Sequence, residues 1–389
     1  MRIESLKLRD FRNYEALELT PHPGVNLFFG QNGSGKTNLL EAVHYCALGR
    51  SHRTSQDREV VRRGQAMAAV GVSILKAGGR HDVAVKLMPL STKRKQVFVN
   101  RKRAPRLSNM MGQLQCVIFS PEDLMLVKDG PAIRRRFLDM MLSQLSTPYF
   151  VALQQYQKAM EQRNALLREV KHGGRLNESL LDAFEQAMAE PCQLIIRQRR
   201  QVIRQLADVA QEKYRAISGR DGEVFAMAYQ SCLAEDDHVA DKALRMLAQA
   251  RQNDILRGFT GFGIHREDIA LSLMGREMKL FASQGQIRTA ALSMKLAQLE
   301  VFRRVAGEAP ILLLDDVMSE LDMTRRTRLL EEISGVQTFV TCTDESDLTG
   351  CREKRSYQVR LDASGCASLR ETTAGEQVAR EIPEEPEFT

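Results

Sequence analysis

The hydrophobic and polar residues near the start of the chain follow a pattern that predicts strands around a glycine-rich turn. Ile3, Leu6 and Leu8 alternate with polar residues, and a second apolar run covers residues 25–29. This run ends at a glycine-rich segment, and the helix-like stretch 38–43 follows it. The simplest interpretation is a strand, a loop and a helix in succession.

More strand patterns follow this helix. Apolar residues alternate over 69–75, 81–87 and 96–99, and the pair Gly78 and Gly79 lies between the first two segments as a turn. Strands that follow one another through short turns pair in opposite directions. These segments therefore predict an antiparallel sheet.

A long helical region then interrupts the strand pattern. It begins at Pro131, which suits a first helical turn, and continues to about Arg257, with breaks at Pro148 and at the pair Gly173 and Gly174. An apolar stripe recurs within it at spacings of three, four or sums of these: Leu180, Phe184, Met188, Ile195, Val202, Leu206, Val209 and Ile217. We expect helices packed on helices. A short antiparallel arm resembling a coiled coil is the alternative, because fewer than four clean heptads fit on either side of the glycine pair.

Strand and turn patterns return after Gly258, with final apolar strand candidates at 311–314 and 338–341. One domain is therefore predicted to be split around a helical insertion. The predicted boundaries are a head over 1–120 and 258–370, a helical lobe over 121–257, and an acidic flexible tail over 371–389.

Charge and composition narrow the class of protein. The 389 residues carry a formal net charge of +7, and the tail has six acidic side chains against Arg380 alone, so the remaining chain is more basic than the total suggests. A polyanionic partner fits this imbalance. The seven cysteines have no CxxC or Cys/His ligand spacing, which predicts reduced thiols and no zinc site. No stretch approaches the roughly 20 apolar residues of a membrane span, and we expect a cytoplasmic protein with no membrane contact.

A phosphate-binding motif occupies the glycine-rich segment. It fits the pattern GxxxxGK[ST], with an apolar strand before it and a helix after it, and consists of Gly30, Gln31, Asn32, Gly33, Ser34, Gly35, Lys36 and Thr37. The glycines allow backbone N–H groups to surround phosphate oxygens at a helix N-terminus. We expect Lys36 to reach the β and γ phosphates of ATP and Thr37 to hold Mg²⁺.

A second metal ligand is expected at the end of a buried strand. The apolar run 311–314 leads into Asp315 and Asp316. We predict that Asp315 coordinates Mg²⁺, directly or through water, and that Asp316 polarises the attacking water as general base. Together with the phosphate-binding motif, this pair predicts an α/β P-loop NTPase.

The order of the remaining motifs resembles that of ABC-type ATPases. Ser283, Gln284, Gly285 and Gln286 precede the Asp-Asp pair, and the segment 319–322, which reads SELD and is similar to a D-loop, follows it. Among ABC-type ATPases the chain is similar to the RecF family over almost its whole length except the acidic tail. The segments that carry this similarity are 11–14, 30–38, 119–124, 263–266 and 283–286.

The resemblance implies an ABC-type ATPase head, similar to the SMC heads of chromosome-maintenance ATPases, with an inserted α-helical lobe. It implies that Asn38 joins the residues that bind nucleotide, and that Ser283, Gln284, Gly285 and Gln286 complete the phosphate pocket of a second subunit. ATP would then hold a homodimer together. The family's role implies DNA replication, recombinational repair and the SOS response, with recombinase loading on duplex or gapped DNA aided by mediator proteins of the RecR and RecO type.

Two positions depart from the broader ABC pattern. Asp316 stands where a catalytic glutamate is expected, and Thr343 stands near the place of a histidine that senses the γ-phosphate. Glu122 or Asp123 occupies the place of the glutamine loop. We hypothesise slow, DNA-stimulated hydrolysis of ATP to ADP and phosphate that serves a binding role.

Two groups of cations are candidate DNA contacts. No acidic residue lies between Thr92 and Glu122, and alternation at 97–99 suggests a β-hairpin that presents the cations. The candidate residues are Arg58, Arg62, Arg63, Lys93, Arg94, Lys95, Arg101, Lys102 and Arg103. A solvated basic hairpin without a ligand is the alternative.

A third group of cations, Arg197, Arg199, Arg200 and Arg204, lies in the helical region and is interpreted as a charged helix face. No base-reading module is recognisable in the chain, and aromatic residues are sparse. The expected partners are double-stranded DNA, single-stranded DNA and gapped junctions, and of these the duplex and the junctions of single and double strands are favoured.

Other classes of function compete with this one. A nucleotide-gated structural head that associates with protein partners is the closest alternative, but the chain lacks long coiled-coil arms. A transporter ATPase subunit would not need the basic clusters or the helical insertion. A small-molecule kinase would not need the segment 283–286.

Overall fold

The structure, a computed structural model, describes residues 1–234, 238–348 and 354–372. The chain forms two units, which we call unit 1 (Met1–Asp123 with Gln298–Thr389) and unit 2 (Leu124–Ala297). The predicted boundary near residue 120 lies close to the first division, whereas the predicted boundary at 258 precedes the second division at 297. The predicted acidic tail lies outside the described residues, apart from Glu371 and Thr372.

The strands are numbered in chain order. They are β1 Arg2–Phe11, β2 Tyr14–Leu19, β3 Val25–Phe29, β4 Ala68–Lys76, β5 Gly79–Leu87, β6 Lys95–Val99, β7 Lys102–Ala104, β8 Cys116–Phe119, β9 Phe225–Gln230, β10 Asp268–Leu273, β11 Arg276–Glu277, β12 Ile311–Asp315, β13 Thr338–Cys342, β14 Lys354–Leu361 and β15 Ala367–Glu371.

The α-helices are numbered in the same way. They are α1 Lys36–Leu48, α2 Met125–Lys128, α3 Pro131–Leu145, α4 Thr147–Lys171, α5 Glu178–Ala189, α6 Cys192–Ser218, α7 Val239–Arg257, α8 Met278–Phe281, α9 Gln284–Ala306 and α10 Met323–Glu332. The bounds of α3 and the end of α4 confirm the predicted start at Pro131 and the break at Gly173, whose φ of 92° ends the helical path.

Unit 1 contains two six-stranded sheets. The first is antiparallel in the order β2-β1-β4-β5-β6-β7, which confirms the antiparallel pairing predicted for 69–99. The second has the order β15-β14-β3-β13-β12-β8, in which β14 to β8 are parallel and β15 is an antiparallel edge strand. The carboxyl ends of β3, β12 and β13 therefore meet at one edge, where ligands bind in open parallel sheets.

Helix α1 joins the two sheets of unit 1. It contacts β1, β4 and β5 of the first sheet and β8, β12 and β13 of the second. Leu39, Leu40, Val43 and Tyr45 are fully buried, and the helix is apolar on more than one side because both sheets cover it. The loop that precedes α1 is consequently fixed at its helical end by packing on two sides.

The helices of unit 2 form a bundle. Helix α4 contacts α3, α5, α6 and α7, so the region is not the two-helix arm considered as the alternative. Its first turn is capped by Ser146, whose side chain accepts a hydrogen bond from the N–H of Tyr149. The predicted apolar stripe is buried from Met188 to Ile217, although Leu180 is 41% exposed.

One arginine of unit 2 was misplaced by the sequence analysis. Arg199 was assigned to a charged helix face, but only 1% of it is exposed. It donates hydrogen bonds to Asp139, Glu267 and Tyr149 inside the bundle. The helical periodicity of α6 identified the apolar side of the helix but not the carboxylates that other elements place against it.

A three-stranded sheet in unit 2 was also missed. Strand β9 lies inside the segment predicted to be mostly helical, and it pairs with β10, which pairs in turn with β11. The strands directly after Gly258 therefore belong to unit 2 and not, as predicted, to the head. This pairing explains why the second boundary lies after the predicted residue 258.

None of the helices in the described ranges is both long enough and apolar enough to cross a membrane.

Candidate nucleotide-binding site

The glycine-rich loop of unit 1 connects β3 to α1 as predicted. Gly30, Gly33 and Gly35 have φ angles of 150°, 81° and 110°, which side-chain-bearing residues rarely adopt. A Cβ atom on Gly30 would lie 2.4 Å from the carbonyl oxygen of Val359, and one on Gly35 would lie 2.6 Å from Nδ2 of Asn13. Glycine is therefore required at both positions by geometry and by space.

The cation of the loop faces the loop's own backbone. Lys36 is buried, and its Nζ donates to the carbonyl oxygens of Gly30 at 2.6 Å and Gln31 at 2.9 Å. Burial lowers the pKa of Lys36, and the negative charge of Asp316 opposes that shift. An ammonium held over the loop in this way is placed to bind an anion that the loop encloses.

Ser34 supplies a second polar atom in the same loop. Its hydroxyl oxygen is buried and forms no hydrogen bond within the described residues. Buried polar atoms usually have partners, and one that lacks a partner beside a helix N-terminus matches a site for an anion. The residue types and their arrangement thus fit a phosphate group.

The predicted metal ligands lie next to each other. The hydroxyl of Thr37 donates to Oδ1 of Asp315 at 2.8 Å, and the hydroxyl of Thr341 donates to the same oxygen at 2.8 Å. Strands β12 and β13 pair Asp315 with Thr341, so the sheet register fixes this contact. A carboxylate beside a hydroxyl is a set of hard oxygen donors, which fits Mg²⁺ held by the protein and by phosphate oxygens.

Burial raises the pKa of Asp315, while the hydrogen bonds from Thr37 and Thr341 oppose the shift. Only the ionised carboxylate binds a metal. Metal binding through Asp315 should therefore weaken, as pH falls, at a higher pH than it would at an ordinary aspartate.

Asp316 lies beyond the end of β12 in a left-handed conformation. Its φ is 53°, its N–H donates to the hydroxyl of Thr341 at 3.0 Å, and the hydroxyl of Ser319 donates to its carbonyl oxygen at 2.8 Å. These contacts hold an unfavourable backbone conformation at the edge where the site lies. The role of Asp316 as general base remains a prediction.

Asn13 is a residue of the site whose role the sequence analysis missed. Its Nδ2 donates to the carbonyl oxygen of Ser34 at 3.1 Å, and its Oδ1 accepts from Nδ2 of Asn38 at 2.7 Å. The neighbouring hydroxyl of Tyr14 donates to the carbonyl oxygen of Gly35 at 3.2 Å. The segment 11–14 was noted only for its similarity to a family, although two polar side chains beside a strand end were a signal that it faces the loop.

Asn38, predicted to bind nucleotide, supports the loop through this chain of contacts. Besides its bond to Asn13, it accepts a hydrogen bond from Nη1 of Arg53 at 3.0 Å. Arg12 donates two hydrogen bonds to the fully buried Glu41 of α1, at 2.8 and 2.6 Å. The turn between β1 and β2 is thereby fastened to both the loop and the first helix.

The segment predicted to act on a second subunit begins α9. Ser283 and Gln286 form a reciprocal cap, in which the N–H of Ser283 donates to Oε1 of Gln286 at 2.9 Å and the N–H of Gln286 donates to Oγ of Ser283 at 3.3 Å. Ser283 and Gln284 are exposed. These residues belong to unit 2, whereas the loop and Asp315 belong to unit 1, and their role in a second subunit's site stays a prediction.

The other residues that were compared with the ABC pattern follow strands β8, β12 and β13 of the same sheet. Glu122 is close enough to raise the pKa of Asp315. Thr343 is exposed directly after β13, and Asp123 accepts a hydrogen bond from the N–H of Ser120 at 2.8 Å. Asp322 caps α10 by accepting from the N–H of Arg325 at 2.9 Å.

The predicted basic hairpin is present as β6 and β7. Its two-residue turn consists of Asn100 and Arg101, both with positive φ, as tight hairpins require. Lys95 at its base points inward, where Nζ donates to the carbonyl oxygen of Gly49 at 2.6 Å and lies 3.0 Å from a carboxylate oxygen of Asp57. This ion pair joins the hairpin to the segment that contains the second group of cations.

Three of the nine predicted DNA contacts form ion pairs with described carboxylates. Besides Lys95, Arg62 pairs with Asp10 at 2.7 Å and lies 3.8 Å from Glu15. Arg101 is 82% exposed and lies 3.3 Å from Asp82. The other six are exposed and form no ion pair within the described ranges; we call them the basic surface: Arg58, Arg63, Lys93, Arg94, Lys102 and Arg103.

Known proteins resemble this chain along nearly its whole length. The family described as "RecF/RecN/SMC N terminal domain" matches residues 2–367. A DNA replication and repair protein RecF from Clostridium perfringens (strain 13) is 37% identical over 361 residues, which are 93% of this chain and 98% of that protein. The RecF of Symbiobacterium thermophilum is 40% identical over 356 residues, 90% of this chain and 93% of that protein.

Solved structures agree with the sequence comparison. The structure of a recombination mediator protein described as RecF-ATPrS has a TM-score of 0.86 and 32% identity, and the match covers 96% of this chain and 98% of that one. An Smc head domain from Pyrococcus furiosus has a TM-score of 0.55 and 16% identity over 95% of this chain and 96% of that one, which shows a shared fold. The predicted SMC-like, ABC-type head is thereby confirmed. The chain belongs to the RecF family of DNA replication and repair proteins.

Proposed function

We propose that the chain binds ATP with Mg²⁺ in unit 1 and acts in the cytoplasm as an ATP-dependent DNA-binding protein of DNA replication, recombinational repair and the SOS response. The observation that carries the proposal is the 2.8 Å hydrogen bond between Thr37 and Asp315, which joins the phosphate-type loop to a buried carboxylate. The high similarity to RecF proteins and to a solved structure described as RecF-ATP supports the same role.

The proposed chemistry follows from the side chains at the sheet edge. Backbone N–H groups of the loop and Lys36 bind the phosphates, and Thr37 and Asp315 hold Mg²⁺. The metal ion, when bound, neutralises negative charge on the phosphate oxygens. Asp316 orients the attacking water, and because its side chain is one methylene shorter than glutamate, hydrolysis is expected to be slow and to time a binding cycle.

ATP is proposed to control assembly of two copies. Ser283 and its neighbours at the exposed start of α9 would contact the nucleotide bound by a second copy, so ATP would stabilise the dimer by binding it more tightly than the monomer. The dimer would close on duplex or gapped DNA and help to load recombinase, together with mediator proteins of the RecR and RecO type.

The basic surface supports DNA as the ligand of this assembly. Its six side chains are exposed and carry charges that no described carboxylate neutralises. Cations of this kind bind phosphates with release of counterions and without reading the base sequence. We expect binding to fall steeply as salt increases.

The proposal is tested by DNA binding with and without ATP and Mg²⁺. Binding of a gapped duplex is measured by fluorescence anisotropy over a range of salt for the wild type, Lys36→Arg and Lys158→Arg. Lys158 is an exposed residue of α4, so its variant makes the same chemical change away from the loop. ATP should strengthen binding for the wild type and for Lys158→Arg, but not for Lys36→Arg.

If ATP did not change the DNA affinity of any of the three proteins, an ATP-gated DNA-binding function would be contradicted. If ATP still drove dimerisation in that case, the structural-head alternative would replace the proposal. Dimerisation is measured by light scattering with Ser283→Arg and with Ser179→Arg, an exposed serine in the first turn of α5. Only Ser283→Arg should abolish the ATP-driven dimer, and equal behaviour of both variants would remove Ser283 from the proposed interface.

A further inference from the structure

The charge of the chain is divided unevenly between its last residues and the rest. The segment 371–389 carries six glutamates and one cation, Arg380, which gives a net charge of −5. Because the whole chain is +7, residues 1–370 carry +12. The family match ends at residue 367, so all six of these glutamates lie beyond the part of the chain that resembles the family.

The basic surface carries the charge opposite to that of the acidic segment. Its six cations belong to two segments that the ion pair between Lys95 and Asp57 holds together. All six are exposed, and none is paired with a carboxylate that the structure describes. A concentration of unpaired positive charge attracts a polyanion, and the acidic segment is attached to the same unit.

The strand that leads to the acidic segment begins beside one member of the basic surface, Arg63. The N–H of Ala367, at the start of β15, donates to the carbonyl oxygen of Asn13 at 2.8 Å, and Nη1 of Arg62 lies 3.8 Å from Sγ of Cys366. Arg63 of the basic surface follows Arg62 directly. Strand β15 is five residues long, so Thr372 lies within about 17 Å of that contact.

The segment that follows is long enough to return to Arg63. Residues 373–389 reach about 55 to 60 Å when fully extended. This reach exceeds the upper limit of about 17 Å on the distance from Thr372 to the contact beside Arg62 and Arg63. The five glutamates of the segment are Glu376, Glu381, Glu384, Glu385 and Glu387.

We propose that the acidic segment 373–389 binds the basic surface of its own chain and competes there with DNA. Exposed ion pairs are individually weak, but attachment to the same chain gives the segment an effective concentration of about millimolar. DNA at sufficient concentration displaces it, since a duplex offers more closely spaced charges. The competition rests on the proposed DNA-binding function, whereas the contact between segment and surface does not.

The contact is tested directly with a zero-length carbodiimide cross-linker, which joins carboxylates to lysine amines. Cross-linked peptides of the full chain are mapped by mass spectrometry. We expect links from the glutamates of the segment to Lys93 and Lys102 at low salt, and their loss at high salt. The exposed pair Lys7 and Glu18, 2.9 Å apart, provides an internal control that should cross-link in both the wild type and the variant described next.

Mixing copies with and without heavy isotopes separates links within one chain from links between chains. Links that occur only between chains, or an absence of links to both lysines while Lys7 and Glu18 react, would overturn the proposal.

The competition is tested with a full-length variant in which the five glutamates are replaced by glutamine. At about 50 mM salt the variant should bind gapped duplex about fivefold more tightly than the wild type, and the difference should vanish near 0.5 M salt because screening removes it. A matched control neutralises five exposed acids of unit 2: Glu161, Glu169, Glu178, Asp208 and Glu212.

Equal tightening of DNA binding by the variant and the control would mean that net charge alone acts, and would overturn the competition. If no form of the protein bound DNA, the proposed function would fail, and the cross-links would still decide whether the segment occupies the basic surface.

Discussion

The loop site of unit 1 and the buried arginines of unit 2 use charged side chains in opposite ways. Lys36 donates to carbonyl oxygens of its own loop, and the hydroxyl of Ser34 has no partner among the described residues. Arg163 and Arg199 are fully buried, and carboxylates surround both. Polar groups with complete sets of partners hold a fold together, whereas polar groups with spare capacity remain available to a ligand.

Arg199 illustrates the structural use of charge. Its guanidinium donates to Tyr149 at 3.0 Å, to Glu267 at 2.7 Å, to Asp139 at 2.8 Å and to the carbonyl oxygen of Ile264 at 2.9 Å. Burial alone would lower the pKa of Arg199, but the negative charges around it outweigh that effect and raise it. The cation remains charged and ties three elements of the bundle together.

The largest expected effect comes from breaking this network. Arg199→Met should lower the free energy of unfolding by about 3–5 kcal/mol, because it leaves the buried Glu267 and the partly exposed Asp139 without their cation. Denaturant unfolding measures the change. The control is Arg197→Met, since Arg197 is exposed on the same helix. Equal stability of the two variants would contradict a structural role for Arg199.

The second effect concerns Asp315, whose charge we expect to serve ligand binding at the expense of stability. Asp315→Asn should slow ATP hydrolysis by about 100-fold, or about 2.7 kcal/mol, because a metal ligand is lost. It should also raise the free energy of unfolding without nucleotide at neutral pH, since the folded-state pKa of Asp315 is raised by burial.

The stability difference between Asp315→Asn and the wild type should depend on pH. A raised folded-state pKa means that the wild type is favoured at low pH and loses this stability as pH rises through that pKa. The difference in stability between Asp315→Asn and the wild type should therefore shrink as pH falls below about 4. Asp208→Asn, at an exposed position of unit 2, serves as the control. Destabilisation by Asp315→Asn at neutral pH would mean that the charge of Asp315 stabilises the fold, as the charge of Arg199 does.

A smaller effect is expected from Asn13, which supports the loop without contacting the metal ligands. Asn13→Ala removes the hydrogen bonds to Ser34 and Asn38, and should weaken ATP binding about five- to tenfold, or about 1 to 1.4 kcal/mol. Calorimetric titration of ATP measures this change, and Asn253→Ala, on the exposed side of α7, is the control. Unchanged affinity for ATP in Asn13→Ala would show that the loop holds its shape without Asn13.

The smallest effect is expected at the hairpin, where an exposed cation, Arg103, is compared with an ion-paired one, Lys95. Arg103→Gln should weaken DNA binding about two- to threefold and reduce its salt dependence by about one phosphate contact, with little change in stability. Lys95→Gln should instead lower stability, because Lys95 bonds to Gly49 and Asp57. Anisotropy and thermal unfolding of both variants provide the comparison. The reverse pattern would mean that exposure does not identify the DNA contacts.

The sequence predicted the features that depend on local patterns and missed those that depend on contacts between distant parts of the chain. The loop, Thr37 and Asp315 were predictable because each belongs to a local pattern of strand, turn and helix. The pairing of β9 with β10 was not, since the two strands are separated by α7 and only tertiary structure brings them together. The assignment of Arg199 to an exposed helix face was wrong for the same reason, because its partner Glu267 lies 68 positions further along the chain.

We expect the loop of unit 1 to bind ATP through groups that the fold itself leaves available. Calorimetric titration of ATP in Mg²⁺ tests it with the wild type, Lys36→Ala and the control Lys158→Ala. We expect Lys36→Ala to weaken ATP binding by about 100-fold or more while its thermal unfolding stays cooperative, and Lys158→Ala to bind ATP as the wild type does. Wild-type affinity for ATP in a folded Lys36→Ala protein would contradict ATP binding through this loop.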